Sequence, residues 1–285
     1  MYIRLMCLDA EAEPSEEYKD RVAAKYYYAG GSARYMFRMK TADVINFVER
    51  GLNEITDKTQ YLTSMIGDRT TETRNRILGS FLNNKGERYS FLLSEYAAVL
   101  VGISAGPPGV RAIHLAIKAY ANRAIEGWLF EMLFFANLSS GNLHLRSNVG
   151  AASSIATAQA IIHLKESPEA DVFERGDVWI KPLLYNQAGF DCVHVDADRK
   201  LIEFYQITIA ATHSFKIAAF ANFLKNMVDK KAYTLSVSFI VPQQNLDSFS
   251  LGTITGLGRL SEFVGWSRGT EGNNVQFLSM NGFDK

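Results

Sequence analysis

The feature that most constrains the fold of this chain is a change of hydrophobic period at Asp177. Downstream of it, short apolar runs alternate with turn residues. Asp177 to Leu184 reads as a strand, and Pro182 makes it compatible with a sheet edge because proline donates no ladder hydrogen bond. Asn186-Gln187-Ala188-Gly189 reads as a turn and Phe190 to Val195 as a second strand. Asp196-Ala197-Asp198-Arg199-Lys200 is a hairpin turn leading into a third strand, Leu201 to Ala210. From Thr212 the spacing of Phe215, Ile217, Phe220, Phe223, Leu224 and Met227 predicts a helix. Tyr233 to Val241 is a β-branched strand closed by Pro242. A tight hairpin joins antiparallel strands, whereas a helical crossover joins parallel ones. The fold class is therefore α/β, a mixed sheet flanked by helices.

The residues before this point read differently. Pro14-Ser15-Glu16-Glu17 is a helix start, and Thr41-Ala42-Asp43 opens a second helix with Val44, Ile45, Phe47, Val48 and Leu52 at helical spacing. Ser90 to Ser104 is apolar and compatible with helix or strand. Gly106-Pro107-Pro108-Gly109 is the sharpest break in the sequence. It divides the chain into a mainly helical subdomain, 1–108, and an α/β domain, 109–285. A long helical pattern follows the break, from Ile113 through Trp128 to Leu133. Ala156 to Leu164 reads as a short helix or a strand.

Composition removes several function classes. Thirty basic residues balance thirty acidic ones, so there is no global electrostatic signature of nucleic-acid binding, although a local basic patch is invisible to such a sum. Two distant cysteines, Cys7 and Cys192, predict no disulfide framework, and five scattered histidines show no zinc spacing. No apolar run approaches the length of about 18 residues expected of a membrane span, so no membrane partner is expected. The first residues have no apolar core followed by a small-residue cleavage site, so no signal peptide is expected.

Asp191 is the first candidate for chemistry. An acid near the start of a buried strand is costly unless it is paired or holds a cation. Side chains alternate along the third strand, so Ile202, Phe204, Gln206 and Thr208 share one face while Glu203 and Tyr205 share the other. Carboxylates and a carbonyl converging near Asp191 would suit a hard cation such as Mg²⁺. Equally, Asp191 caps the turn after Gly189 and Glu203 is an exposed strand residue. Glu131 interrupts the apolar run Trp128 to Phe135, so it marks either a solvent face or a site, and Glu126 competes with it on the same helix. His213 and Thr212, read as a helix start, offer contacts to a phosphate. Tyr26 to Tyr28 is a stacking platform or simple packing.

Taken together, Gly127-x-x-Phe130-Glu131, Phe190-Asp191, Tyr205-Gln206-Ile207-Thr208 and His213 resemble the nuclease-type domain of the Crinkler effectors and retrotransposon hot spot proteins. That domain is similar to restriction endonucleases of the PD-(D/E)XK fold, whose helix–three-strand–helix–strand core matches the order read above. Tyr28-Ala29-Gly30-Gly31-Ser32-Ala33-Arg34-Tyr35 resembles the end of the P-loop ATPase module that precedes the nuclease domain in this family. No Gly-x-x-x-x-Gly-Lys-Ser/Thr loop is present, so the resemblance implies a C-terminal piece whose partner is a missing N-terminal ATPase module.

The resemblance further implies hydrolysis of phosphodiester bonds in DNA with Mg²⁺, or Mn²⁺ as a substitute. Asp191, Glu131 and Glu203 are the implied metal-ligand candidates, and Glu131, Asp191, Gln206 and His213 the catalytic ones. It implies a secreted effector acting in the host nucleus. The chain departs from the nuclease pattern at two positions. Gln206 stands where a lysine is expected, and Phe204 where its acid is expected. Either Glu131 supplies the missing carboxylate, or the domain is a degenerate module that binds DNA or a host protein. A third reading is an assembly domain in which residues 1–108 contact the missing ATPase module or, in a homo-oligomer, a second copy of the chain.

Overall fold

The computed structural model describes residues 16–65, 77–82, 85–120, 122–147, 153–156, 158, 161–164, 168–182 and 189–283. The predicted turn at 186–188, the end of the predicted strand at 183–184 and the helix start at 14–15 lie outside them.

The first elements are helical: α1 (Glu16–Ala29), α2 (Ala33–Arg38), α3 (Thr41–Asn53) and α4 (Lys58–Met65). An antiparallel hairpin follows, β1 (Leu78–Leu82) and β2 (Arg88–Leu92). Between α1 and α2 the chain turns at Gly30, whose φ is 53°. A Cβ there would lie 1.6 Å from the carbonyl oxygen of Leu93, so backbone conformation and space both require glycine. Gly30→Ala is expected to destabilise the protein by at least about 2 kcal/mol. An unchanged midpoint in urea denaturation would refute that account of the turn.

Two long helices form the next layer. Ser94 caps α5 (Glu95–Ile117) by accepting the Ala97 N–H at 3.3 Å, and Asn122 caps α6 (Arg123–Ser139) by accepting that of Ile125 at 3.0 Å. The break read at Gly106–Gly109 divides α5 into two helical segments that meet at a kink. Gly106 has φ 66° and ψ 171°. The ladder is interrupted there, and Pro107 and Pro108 enter the new first turn, where no N–H is needed. By length and composition alone α5 is apolar enough to cross a membrane, and the kink at Gly106 divides it. In this fold its buried residues, among them Val99, Val101, Val110 and Ile113, join the core. Gly102 gives α5 its close approach to α6, since a Cβ would meet the Met132 backbone at 2.7 Å.

The sheet has eight strands: β3 (Leu143–Ser147), β4 (Ser153–Ala156), β5 (Ile161–Leu164), β6 (Asp177–Pro182), β7 (Cys192–Asp196), β8 (Leu201–Ile207), β10 (Thr234–Pro242) and β12 (Val275–Met280). Their order is β4-β3-β12-β10-β8-β7-β6-β5. Pairings of β10 with β8 and β12, and of β5 with β6, are parallel, and the others are antiparallel. The fold is thus α/β with a mixed sheet and flanking helices. β6 is not an edge strand. Its pairing with β7 spans Asp177 to Ile180, so Pro182 lies beyond that ladder and neighbours only β5.

The segment after Thr212 differs from its predicted helix. Thr212–Lys216 is a strand, β9, paired in parallel with β11 (Ser250–Thr255), and helix α7 covers only Ile217–Phe223. The hydrogen bonds of β9 come from a strand more than thirty residues away, a tertiary contact that local spacing does not report.

Alternation along the strands sorts two cores onto opposite faces of the sheet. Cys192, Tyr205 and Ile240 face α5 and α6, in a cluster that also takes in Tyr28 and Val44. Val193, Phe204 and Phe239 pack with Phe220 and Phe223 of α7. Tyr27, Tyr28 and Tyr96 form an edge-on aromatic group, with Tyr28 centred 4.9 Å from Tyr27 and 5.1 Å from Tyr96. Within the tyrosine run, Tyr27 and Tyr28 are therefore packed, while Tyr26 is exposed.

Candidate functional site

The ends of β6 and β8 and the start of β7 meet at one end of the sheet, because β7 runs opposite to its two neighbours. Lys181 near the end of β6, Asp191 just before β7 and Gln206 near the end of β8 therefore meet. Above them, α6 turns Glu131 inward.

Glu131 and Lys181 are 7% and 3% exposed, and the Lys181 ammonium lies 2.5 Å from a Glu131 carboxylate oxygen. Lys181 also stands 4.8 Å from the centre of the Phe135 ring. Burial pushes its pKa down, but the charges of Glu131, Asp191 and Glu95 outweigh that and leave it raised. The lysine is held in its charged form.

Asp191 is anchored by backbone and side chain together. Its N–H donates to the Tyr205 carbonyl at 2.7 Å. Its Oδ2 accepts the Ile207 N–H at 2.5 Å and the Gln206 Nε2 at 2.7 Å. Burial and then the neighbouring Glu131 charge push its pKa up to about 7, against the opposing pull of Lys181 and the Ile207 N–H. A third carboxyl was not foreseen. Glu95, in the first turn of α5, is raised to about 8, first by burial and then by Glu131. Lys181 and a hydrogen bond from Trp128 act against that rise. Burial, then Glu131 and Glu95, likewise raise the Tyr27 hydroxyl well above its ordinary value.

Glu131, Lys181 and Gln206 are buried, whereas Tyr27, Glu95, Trp128 and Asp191 are half-buried. The group, called the recess below, therefore runs from a buried floor to a half-buried margin. It holds more carboxyl groups than cations, in surroundings where each charge is poorly solvated. That imbalance favours uptake of a proton or a cation. Among the described residues, no three or more His, Cys, Asp or Glu side chains stand in a ready-made metal-holding set.

Of the predicted residues, the structure brings together Glu131, Asp191 and Gln206. Glu203 sits in a different ionic group: its carboxylate meets His194 Nδ1 at 2.9 Å, and His194 Nε2 meets Asp177 at 2.8 Å. Alternation along β8 puts Glu203 next to His194 by direct register. His213 lies on β9 instead of at a helix start. Its Nδ1 bonds the Ser214 carbonyl at 2.9 Å, and its ring is centred 5.5 Å from that of Phe239. Glu126 is exposed on α6 and lines a separate cavity with Arg123.

Sequence reading missed Lys181 and Glu95. Lys181 carried a signal, a lone cation inside the apolar run Val178-Trp179-Ile180 before a proline. Glu95 carried none, because an acid in the first turn of a helix is ordinary.

Burial lowers the pKa of His194, but hydrogen bonds to Glu203 and Asp177 outweigh it and raise the pKa above 6.5. A raised histidine pKa adds stability that is fully present below about pH 6.5 and fades as pH rises through the folded-state value. Glu203→Gln is therefore expected to lower the melting temperature at pH 6 more than at pH 9. Equal losses at both pH values would rule out the charged pair.

No family model, curated protein or solved structure matches this chain.

Proposed function

We propose that the chain is a metal-dependent nuclease-type domain with a PD-(D/E)XK-like core, hydrolysing phosphodiester bonds in DNA. The observation that carries this reading is the convergence of Glu131, Lys181, Asp191 and Gln206 from a helix and three adjacent strands onto one end of a mixed sheet. The order helix, three strands, helix, strand also supports it, with β3, β4 and β5 as additions between α6 and β6, and β9 between β8 and α7. The lysine that the resemblance expects on β8 has a substitute in Lys181 on β6.

The donor set suits a hard divalent cation. Asp191 and Glu131 offer carboxylate oxygens whose repulsion a cation relieves, and Mg²⁺ commonly takes only one or two carboxylates, with substrate phosphate and water completing its shell. Asp191 and Glu131 would hold it, and when bound it supplies charge stabilisation at the phosphate and a more acidic water. The chain's own groups do the rest. Lys181 keeps a fixed positive charge beside the phosphate position. Gln206 gives its amide N–H to Asp191, and also to the Ile207 carbonyl at 3.4 Å, so its carbonyl oxygen remains to accept from a water. Glu95 and Trp128 border the recess on the side of the helical segment, which makes that segment part of the site.

A second reading is a degenerate fold that binds DNA or a host protein without cleaving it. One observation favours it: Phe204, where an acid is expected, is fully buried against α7 and brings no carboxylate. Action as a secreted effector in a host nucleus, and the association with an ATPase module, are part of the same proposal on the strength of the resemblance.

Nicking of supercoiled plasmid with Mg²⁺ or Mn²⁺, with EDTA as control, separates the two. Metal-dependent nicking that disappears in Asp191→Ala supports the nuclease. Plasmid binding with no nicking under either metal supports the binding module.

A further inference from the structure

A cavity of about 340 Å³ opens beside α6, with His114, Arg123, Phe130, Ile209, Asn245 and Phe283 in its walls. That is near the lower end of the size range of small-ligand sites. Its position ties it to the recess described above. Arg123, Glu126 and Phe130 lie three and four residues apart, on one stripe of α6. Glu131, the next residue, points into the recess. Ile209 follows Ile207, whose N–H holds Asp191, by two residues, or about 7 Å of extended chain. Pro242 ends β10 and Gly282 follows β12, both parallel to β8, so the cavity opens at the same end of the sheet as the recess. In open α/β sheets this end is where ligands bind.

The walls combine a flat aromatic surface with polar groups of both kinds. His114 and Phe283 stack face to face, with ring centres 3.9 Å apart and planes at 14°. Burial, then Lys118 and Arg111, lower the His114 pKa, so the ring is neutral at pH 7. Phe130 adds a buried aromatic wall. Asn245 is held in place by its bond to the Ile209 carbonyl at 3.2 Å, and the exposed Gln244 and Glu126 add hydrogen-bonding groups at the rim. Arg123, exposed in the first turn of α6 beside the acid Glu126, brings a guanidinium to the rim of the cavity.

We infer that this cavity is a nucleotide subsite, receiving one unstacked nucleotide of a single strand next to the phosphate in the Glu131–Asp191 recess. This rests on the nuclease reading. An aromatic face takes a base by stacking, which no base excludes. Arg123 takes the adjoining phosphate, and Gln244 and Glu126 meet the base edge. A duplex, whose bases are stacked and paired, presents no free base face to a cavity of this size.

The test is fluorescence anisotropy with a fluorescein-labelled 12-nucleotide single strand and with the duplex of the same sequence, both in EDTA. The single strand is expected to bind at least about tenfold tighter than the duplex, each base–aromatic stack being worth about 1–3 kcal/mol. Arg123→Ala is expected to weaken single-strand binding about tenfold and to reduce the salt slope by about 0.7, the effect of one lost phosphate contact. Gln244→Ala should weaken it by a smaller factor, while Arg259→Ala, outside the cavity, should leave it unchanged at an unchanged melting temperature.

Equal affinity for the two forms, no binding by the unaltered chain, or an Arg123→Ala variant that binds as well as the parent would overturn the inference. If Asp191→Ala abolishes plasmid nicking while Arg123→Ala binds normally, the subsite falls and the nuclease reading stands. If neither plasmid nor the 12-nucleotide single strand is cut with Mg²⁺ or Mn²⁺ while Arg123→Ala loses single-strand binding, the nuclease reading falls and the nucleotide site stands.

Discussion

Lys181→Met is expected to cost about 3–5 kcal/mol of folding stability, because it leaves Glu131 as a buried carboxylate without its cation. The two side chains are only 4% and 9% exposed, so water cannot take over the lost contact. The companion double substitution, Lys181→Met with Glu131→Gln, removes both charges and should recover most of that loss, since a neutral pair of similar volume avoids the desolvation penalty. Urea denaturation of the two single variants and the double completes the cycle. Additive losses would mean that the ion pair contributes no coupling. Even a fully recovered double variant should lack activity, because Lys181 is the fixed cation beside the phosphate in the proposed mechanism.

Asp191→Asn separates stability from function at the same site. The folded protein raises the Asp191 pKa to about 7 from an ordinary 3.8, so folding disfavours its charged form. The sign follows from linkage: an acid whose folded pKa is raised destabilises the protein increasingly as pH rises above the unfolded value, until it passes the folded one. Removing that acid should therefore stabilise the metal-free protein at neutral pH, with the melting temperature rising about 2–4 °C per kcal/mol released. The asparagine carbonyl keeps an acceptor for the Ile207 N–H. In the same variant, metal-dependent cleavage should fall at least about a hundredfold, since a bound cation is worth several kcal/mol of charge stabilisation. A structural aspartate would behave oppositely, losing stability without a specific loss of cleavage. Thermal melts in EDTA and plasmid nicking in Mg²⁺, run on one preparation, distinguish the two.

Much of the fold was legible because β-structure writes its period into the chain. The runs at Phe190 and Leu201 and the turn at Asp196 became β7, β8 and their connection, with Phe204 and Tyr205 on opposite faces as alternation requires. The convergence of Asp191, Gln206 and Glu131 was partly legible as well. An acid in a buried run carries a large desolvation cost, and that cost marks positions where a partner is required.

What local pattern could not determine was the identity of those partners. Lys181 is four strand positions past Asp177, and Glu95 lies almost one hundred residues before Asp191. Glu203, equally acidic and two residues from Tyr205, went to His194 because register across β7 decided its neighbour. Thr212–Lys216 became a strand because β11 offered it hydrogen bonds, and β12 entered the sheet between β3 and β10. The sequence by itself determined which segments are strands or helices where period and turn chemistry agree, and which acids are costly to bury. The tertiary structure alone decided which charges share a low-dielectric recess. Coulombic partnership depends on distance in space, which chain spacing does not encode once strands reverse and helices cross over them.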